Sequence, residues 1–174
     1  MKTSIVMTVI AKDRPGLVEM ISARIAECGG NWEESRMCRL GGQFAGIVKV
    51  EAEEADREDL IDSLWDLDAE GLKIIINEDD TVEIKSRQNP LTIGIVGQDH
   101  PGIIRDISSI LFKHKANVEE LHTELQNEPM SGYVLFVASI RLILPPDGNA
   151  DELKKDLEDV AADLMVDLEV DEEA

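Results

Sequence analysis

Two short runs in this 174-residue chain have the residue types to hold a small charged ligand: Asp13-Arg14-Pro15-Gly16 and Asp99-His100-Pro101-Gly102. Each follows a β-rich stretch. Each precedes apolar residues at helical spacing: Leu17, Val18, Ile21 and Ile25 in the first case, Ile103, Ile104, Ile107 and Leu111 in the second. Proline suits the first helical position, where no amide donor is needed, and the aspartate is placed to accept from amides at the helix start. Glycine lets the main chain come close to a ligand, and the free amides of a helix N-terminus attract a carboxylate. If access is the reason for glycine, valine at Gly16 or Gly102 is expected to block binding and leave the fold largely intact. If backbone conformation is the reason, the same change costs about 1 kcal/mol or more. Asn31 and Asn117, each opening a strand after a helix, are the second candidates, with a local turn or cap as the plainer reading.

Other reactive side chains offer less. Glu33-Glu34 and Glu119-Glu120 read as solvated acids rather than a general acid–base pair. The three histidines, His100, His114 and His122, fall in the second half without a metal-ligand spacing. Cys28 ends a helix and Cys38 lies seven residues along the next strand, so their thiols are expected roughly 20 Å apart, too far for a disulfide. Trp32 and Trp65 read as core or interface anchors, and Asp171 to Ala174 as a solvated tail. No phosphate-binding glycine loop, dinucleotide fingerprint or serine-nucleophile motif is present. The expectation is a protein that is not an enzyme and needs neither metal nor cofactor.

Asp plus Glu number 37 against 17 Lys plus Arg, a formal net charge of −20. Neutralising nucleic-acid phosphates or anionic lipid needs cations, so direct contact with either is disfavoured. Aromatic residues are only 3%, so the core must be aliphatic. The opening residues show no signal-peptide pattern, no run is long enough to span a bilayer, and two cysteines are too few for a disulfide framework. The expected location is the cytoplasm.

The elements that position the turns come from an internal repeat. Shifting the chain by 86 residues lays Asp13, Pro15, Gly16, Ile21, Ser22, Asn31, Glu33 and Glu34 on identical residues, together with Gly46 on Gly132 and Val48 on Val134. On this alignment the second copy carries about seven extra residues around Leu144 to Gly148. Each copy has a strand (Ile5 to Ala11; Leu91 to Gly97), a helix, a hairpin, a second helix (Asp56 to Leu67; Asp151 to Leu164) and a closing strand (Lys73 to Asn77; Val166 to Val170). The hairpin strands are Asn31 to Leu40 with Phe44 to Glu53, and Asn117 to Leu125 with Gly132 to Leu144; the second turn is placed around Asn127 to Pro129. Thr81 to Lys85 extends the first closing strand or forms a short ribbon. The order β-α-β-β-α-β, with right-handed crossovers, predicts an α+β chain of two ferredoxin-like domains. Each is a four-stranded antiparallel sheet with two helices on one face, over residues 1–86 and 87–174.

Two such units, each with Asp-x-Pro-Gly after strand one and Asn opening strand two, resemble a tandem ACT-domain protein over nearly the whole chain. Within that family, Lys12 to Val18 with Cys28 to Arg36 most resembles the branch that represses the glycine cleavage system. The resemblance implies a small amino acid, such as glycine or serine, bound between paired domains. One domain's turn then faces the strand-two opening of another. It carries a ligand-binding role onto Asp13, Pro15, Gly16 and Leu17, onto Asp99, Pro101, Gly102 and Ile103, and onto Asn31 and Asn117. It also implies a protein partner that itself binds DNA, no direct nucleic-acid or membrane contact, and pairing of domains within the chain or across a homodimer. The family often has asparagine where this chain has Asp13 and Asp99; a carboxylate there favours a ligand's ammonium group and repels its carboxylate unless helix amides compensate. The alternative is a protein–protein interaction module whose pockets are vestigial.

Overall fold

A computed structural model describes residues 1–78, 90–127 and 132–172. The first unit runs β1 (Lys2–Lys12), α1 (Leu17–Glu27), β2 (Asn31–Leu40), β3 (Gln43–Glu53), α2 (Arg57–Trp65), a 3-10 turn (Asp66–Glu70) and β4 (Leu72–Glu78). The second runs β5 (Leu91–Gln98), α3 (Ile103–Lys113), β6 (Asn117–Asn127), β7 (Val134–Ile143), α4 (Ala150–Leu164) and β8 (Val166–Glu172). The sheets are four-stranded and antiparallel, in the orders β2-β3-β1-β4 and β6-β7-β5-β8. This is the α+β, ferredoxin-like arrangement that the repeat predicts. The expected join near residue 86 and the segment Thr81 to Lys85 lie outside the described residues.

Alternation along the central strands explains why one sheet face is covered. Ile5, Met7, Val9 and Ala11 of β1 are buried with Val48, Val50 and Ala52 of β3. Leu17, Ile21 and Ile25 of α1 and Leu60, Ile61 and Leu64 of α2 close over them. The second core repeats this with Ile93, Ile95, Ile140, Ile107 and Leu157. Both cores are aliphatic, and no polar or charged residue among those described is buried. Each fully buried isoleucine or leucine contributes about 1.5–3 kcal/mol, so helix docking rests on these stripes. The residue that ends the first helix of each unit has positive φ: Gly29 at +70° and Lys115 at +54°.

The strand registers correct three sequence readings. β2 and β6 keep the offset of 86 (Asn31 to Asn117), but Glu51 of β3 corresponds to Ile143 of β7, an offset of 92. The six extra residues therefore lie between Gln126 and Leu135, in the second hairpin, and not around Leu144 to Gly148. The structural counterpart of Gly46 is Ala138, opposite Ile95 as Gly46 is opposite Val9. The matches of Gly46 with Gly132 and Val48 with Val134 were coincidences of common turn and strand residues. Asp171 is not part of a solvated tail but pairs with Thr92, because β8 continues to Glu172.

Candidate functional site

Both Asp-x-Pro-Gly runs form the turn from a central strand into a helix, and their geometry repeats. Asp13 N–H donates to the Gly42 carbonyl at 3.0 Å and Asp99 N–H to the Val134 carbonyl at 3.0 Å, so each turn is fixed to the neighbouring strand. Gly16 (φ +91°) and Gly102 (φ +105°) are the N-caps of α1 and α3, in a conformation that side-chain-bearing residues rarely adopt. The helices therefore start at Leu17 and Ile103. Pro15 and Pro101 stand one residue before the cap rather than at the first helical position. Neither aspartate caps its helix, and no side chain does. Contrast α4, where the Asn149 carboxamide accepts from the amides of Asp151 at 3.0 Å and Glu152 at 3.2 Å. No side chain therefore satisfies the first amide donors of either helix, and such amides favour an anionic group.

From the sequence, the residue between Asp and Pro was given no role at the turn. Arg14 Nη2 donates to the Glu70 carbonyl at 2.7 Å, at the end of the 3-10 turn that follows α2. Its repeat counterpart, His100, places Nε2 3.1 Å from the Leu164 carbonyl at the end of α4. The next residue is left-handed in both units, Gly71 and Met165. The turn is thus tied to the C-terminal end of the second helical segment in each unit. The signal for this was available: the repeat lays one long nitrogen donor on another.

His100 Nδ1 also lies 3.1 Å from the Pro101 carbonyl. Both ring nitrogens therefore face acceptors, which only the protonated imidazole can satisfy together. The Pro101 carbonyl first, then that of Leu164, raise the His100 pKa above 6.5.

The two turns differ in what stands beside the glycine. A Cβ built at Gly16 would meet nothing within 4 Å, whereas one at Gly102 would lie 3.4 Å from Arg105 Nη2 and 3.7 Å from Asp106 Oδ2. Arg105 Nε donates to Asp106 Oδ1 at 2.7 Å, and this pairing holds the Asp106 pKa low. Asp13, in the open turn, has Arg39 Nη1 at 3.4 Å. Leu17 and Ile103 are core residues at 3% and 2% exposure, so what they present outward is main chain.

Asn31 and Asn117 are exposed and open the edge strands β2 and β6. Through β3, Asn31 lines up with Ser4, nine residues before Asp13 on β1. At about 3.3 Å per residue the turn and the asparagine of one unit are roughly 30 Å apart. A single unit does not bring them together. Next to each asparagine the register slips, between Trp32 and Glu34 and again between Val118 and Glu120. The bulged carboxylates reach across to a cation on the adjoining strand: Glu33 to Lys49 at 3.9 Å, and Glu119 to Arg141 at 3.1 Å. In each pair the first acid is thus engaged in a cross-strand ion pair.

His114 Nε2 and Lys113 Nζ each stand 2.7 Å from Asp156 Oδ2, joining α3 to α4. Trp32 packs against the first core, while Trp65 is largely exposed. Both cysteines are free. Among the described residues no group of three or more His, Cys, Asp or Glu is arranged to hold a metal. No described helix is long and apolar enough to cross a membrane.

Two βαββαβ units with matching strand-to-helix turns define a tandem ferredoxin-like α+β protein. The ACT domain model matches residues 3–75 and 89–171, and the chain belongs to the ACT domain family, carrying the domain twice. It resembles the glycine cleavage system transcriptional repressor of Escherichia coli, at 27% identity over 124 residues, 70% of this chain. The match covers 65% of that relative, just under two thirds of its length. A UPF0237 protein of Methanopyrus kandleri is 34% identical over 91 residues, 49% of this chain and 98% of its own. Among solved structures, a protein of unknown function from Galdieria sulphuraria superposes over the whole of both chains with a TM-score of 0.85 and 28% identity. A structure described as a putative glycine cleavage system transcriptional repressor shares the fold, with a TM-score of 0.72 and 14% identity over 99% of this chain and 98% of that one.

Proposed function

We propose that this chain is a non-enzymatic regulatory protein that binds a small amino acid, glycine or serine, between paired ACT domains. It passes the signal to a protein partner, as in repression of the glycine cleavage system. One observation carries the reading: at two equivalent places a positive-φ glycine precedes a helix start that no side chain caps, beside an aspartate. In this reading the helix amides take the ligand's carboxylate and the aspartate takes its ammonium group. Edge-to-edge pairing about a two-fold axis, within the chain or across a homodimer, brings one domain's turn to another's Asn31 or Asn117. The net charge of −20 favours a protein partner over direct contact with DNA, in a cytoplasmic setting. The likeness to a protein named as a repressor supports the same direction. Titration calorimetry against the twenty amino acids tests it: heat with glycine or serine supports the proposal, and silence across the panel at millimolar ligand removes it.

A second reading, an interaction module with a vestigial pocket, is favoured at one place. The Arg105–Asp106 pair stands where a ligand would approach Gly102. In this reading the second turn binds nothing and only the partner contact remains.

A further inference from the structure

The sheet faces turned away from the helices carry opposite characters. On the first, cross-strand neighbours place Val6, Ile10, Ile47 and Ile75 at the centre. Ile47 is 54% exposed and Ile75 63%. Val6, Arg36, Ile47 and Lys49 line a shallow groove of about 280 Å³ there. The same face bears five cations, Lys2, Lys12, Arg36, Lys49 and Lys73, against Glu34, Glu51, Glu53 and the bulged Glu33. Lys2 is paired with Glu51 and Lys49 with Glu33; Lys12 and Lys73 stand toward the turn end. Five cations against four carboxylates leave this face about one unit positive, in a chain whose net charge is −20.

The second face is its complement. Arg141 stands among Glu120, Glu124, Asp167, Glu169 and Asp171, with the bulged Glu119 reaching in. Val96, Val137 and Leu135 form a smaller apolar strip. Gly94 leaves a shallow dip beside it, with only Glu169 Cβ, at 3.9 Å, near a Cβ built there.

We infer that the basic face of the first unit docks on the acidic face of the second unit in another copy of this chain, reciprocally, so that two such contacts form about a two-fold axis. Charge complementarity selects the pairing, since acidic on acidic is repulsive and the exposed Lys12 and Lys73 of the first face gain most against the acidic one. Size selects the reciprocal form. Four strands about 4.8 Å apart and seven residues long present roughly 440 Å² per face. One contact buries about 900 Å², below what stable interfaces need; two bury about 1,750 Å², inside the standard range of about 1,200–2,000 Å². Each chain carries both faces, so two reciprocal contacts need only two copies. The inference does not depend on the amino-acid reading.

Charge reversal tests it. One variant carries Lys12→Glu with Lys73→Glu, the other Asp167→Lys with Glu169→Lys; all four side chains are exposed, and thermal melts check that each variant folds. Sedimentation velocity at several protein and salt concentrations reads the assembly state. The natural chain is expected to associate, more weakly as salt rises. Each variant alone is expected to fall to the next smaller species, with the apparent dissociation constant raised about tenfold or more. The 1:1 mixture is expected to regain association, because both contacts again join opposite charges. An unchanged assembly state in the variants overturns the inference, since association then uses sheet edges or helices. A mixture that fails to re-associate overturns it too. So does a natural chain monomeric at every concentration, which would leave this face to the chain's own second unit or to a different protein.

Discussion

Arg14 and His100 occupy the same place in the repeat, and each holds its Asp-x-Pro-Gly turn to the carboxyl end of the second helical segment. Arg14 bonds the Glu70 carbonyl at 2.7 Å and His100 the Leu164 carbonyl at 3.1 Å. The two acceptors are offset by 94 residues while the two donors are offset by 86, so the contact has survived eight inserted residues in between. Each turn is therefore bonded both to the neighbouring strand and to the helical segment behind it.

Arg14→Ala removes one of these ties at an exposed site. The expected cost is modest, no more than about 1 kcal/mol, because solvent competes for the carbonyl. Amide exchange should speed up around Gly16 and Gly71 more than at the centre of β1. Uniform acceleration across the unit would contradict a local role.

The tie at His100 is expected to depend on pH. Its pKa is raised by the Pro101 and Leu164 carbonyls, with smaller contributions from Asp99 and Asp106. A pKa higher in the folded than in the unfolded state means that the stabilisation is fully present below about 6.5 and lost as pH rises through the folded value. His100→Arg installs the residue found in the first unit, which stays charged. Melting temperature followed from pH 6 to 9 should fall less steeply in His100→Arg than in the natural chain. Parallel curves would show that the His100 charge is not used.

The valine test of the turn glycines is compromised by the backbone. At φ of +91° and +105°, Gly16 and Gly102 are strained by any β-branched residue whether or not a ligand binds. Asparagine tolerates left-handed geometry better and still projects a side chain. Gly16→Asn, entering open space, should melt within a few degrees of the natural chain yet bind amino acid at least tenfold more weakly. Unaltered affinity would make Gly16 purely conformational.

Two glycines of β5 should respond unequally to alanine. A Cβ at Gly97 would lie 2.4 Å from Val166 Cγ1 and 2.9 Å from Val166 Cα, so Gly97→Ala must displace β8. About 1–3 kcal/mol of destabilisation is expected. Gly94 meets only an ordinary contact at 3.9 Å, and Gly94→Ala should lie within about 0.5 kcal/mol of the natural chain. Chemical denaturation of the two variants separates them; equal effects would contradict the packing at Gly97.

The element order was legible because alternation in β1 and β5 and the 3.6-residue spacing of Leu17, Ile21 and Ile25 state their faces directly. The insertion was misplaced because hairpin length leaves no periodic trace, and two chance identities, Gly46 with Gly132 and Val48 with Val134, pulled the alignment across it. The bulges at Glu33 and Glu119 were invisible for a related reason: a slipped residue changes pairing and not composition. Of the candidate site, the turns and their glycines could be found by repetition alone. For Arg14 and His100 repetition marks two equivalent nitrogen donors but not their partners, which are carbonyls 56 and 64 residues away with no side-chain signature.

The central claim is that a small amino acid sits at the turn. Amide chemical shifts, recorded by NMR while glycine or serine is added, test it most directly. The account expects saturable shifts concentrated at Gly16, Leu17 and Val18, accompanied by the side-chain amide of Asn31 or Asn117 and lost in Gly16→Asn. Shifts absent at millimolar ligand, or centred elsewhere and unchanged in that variant, would contradict it.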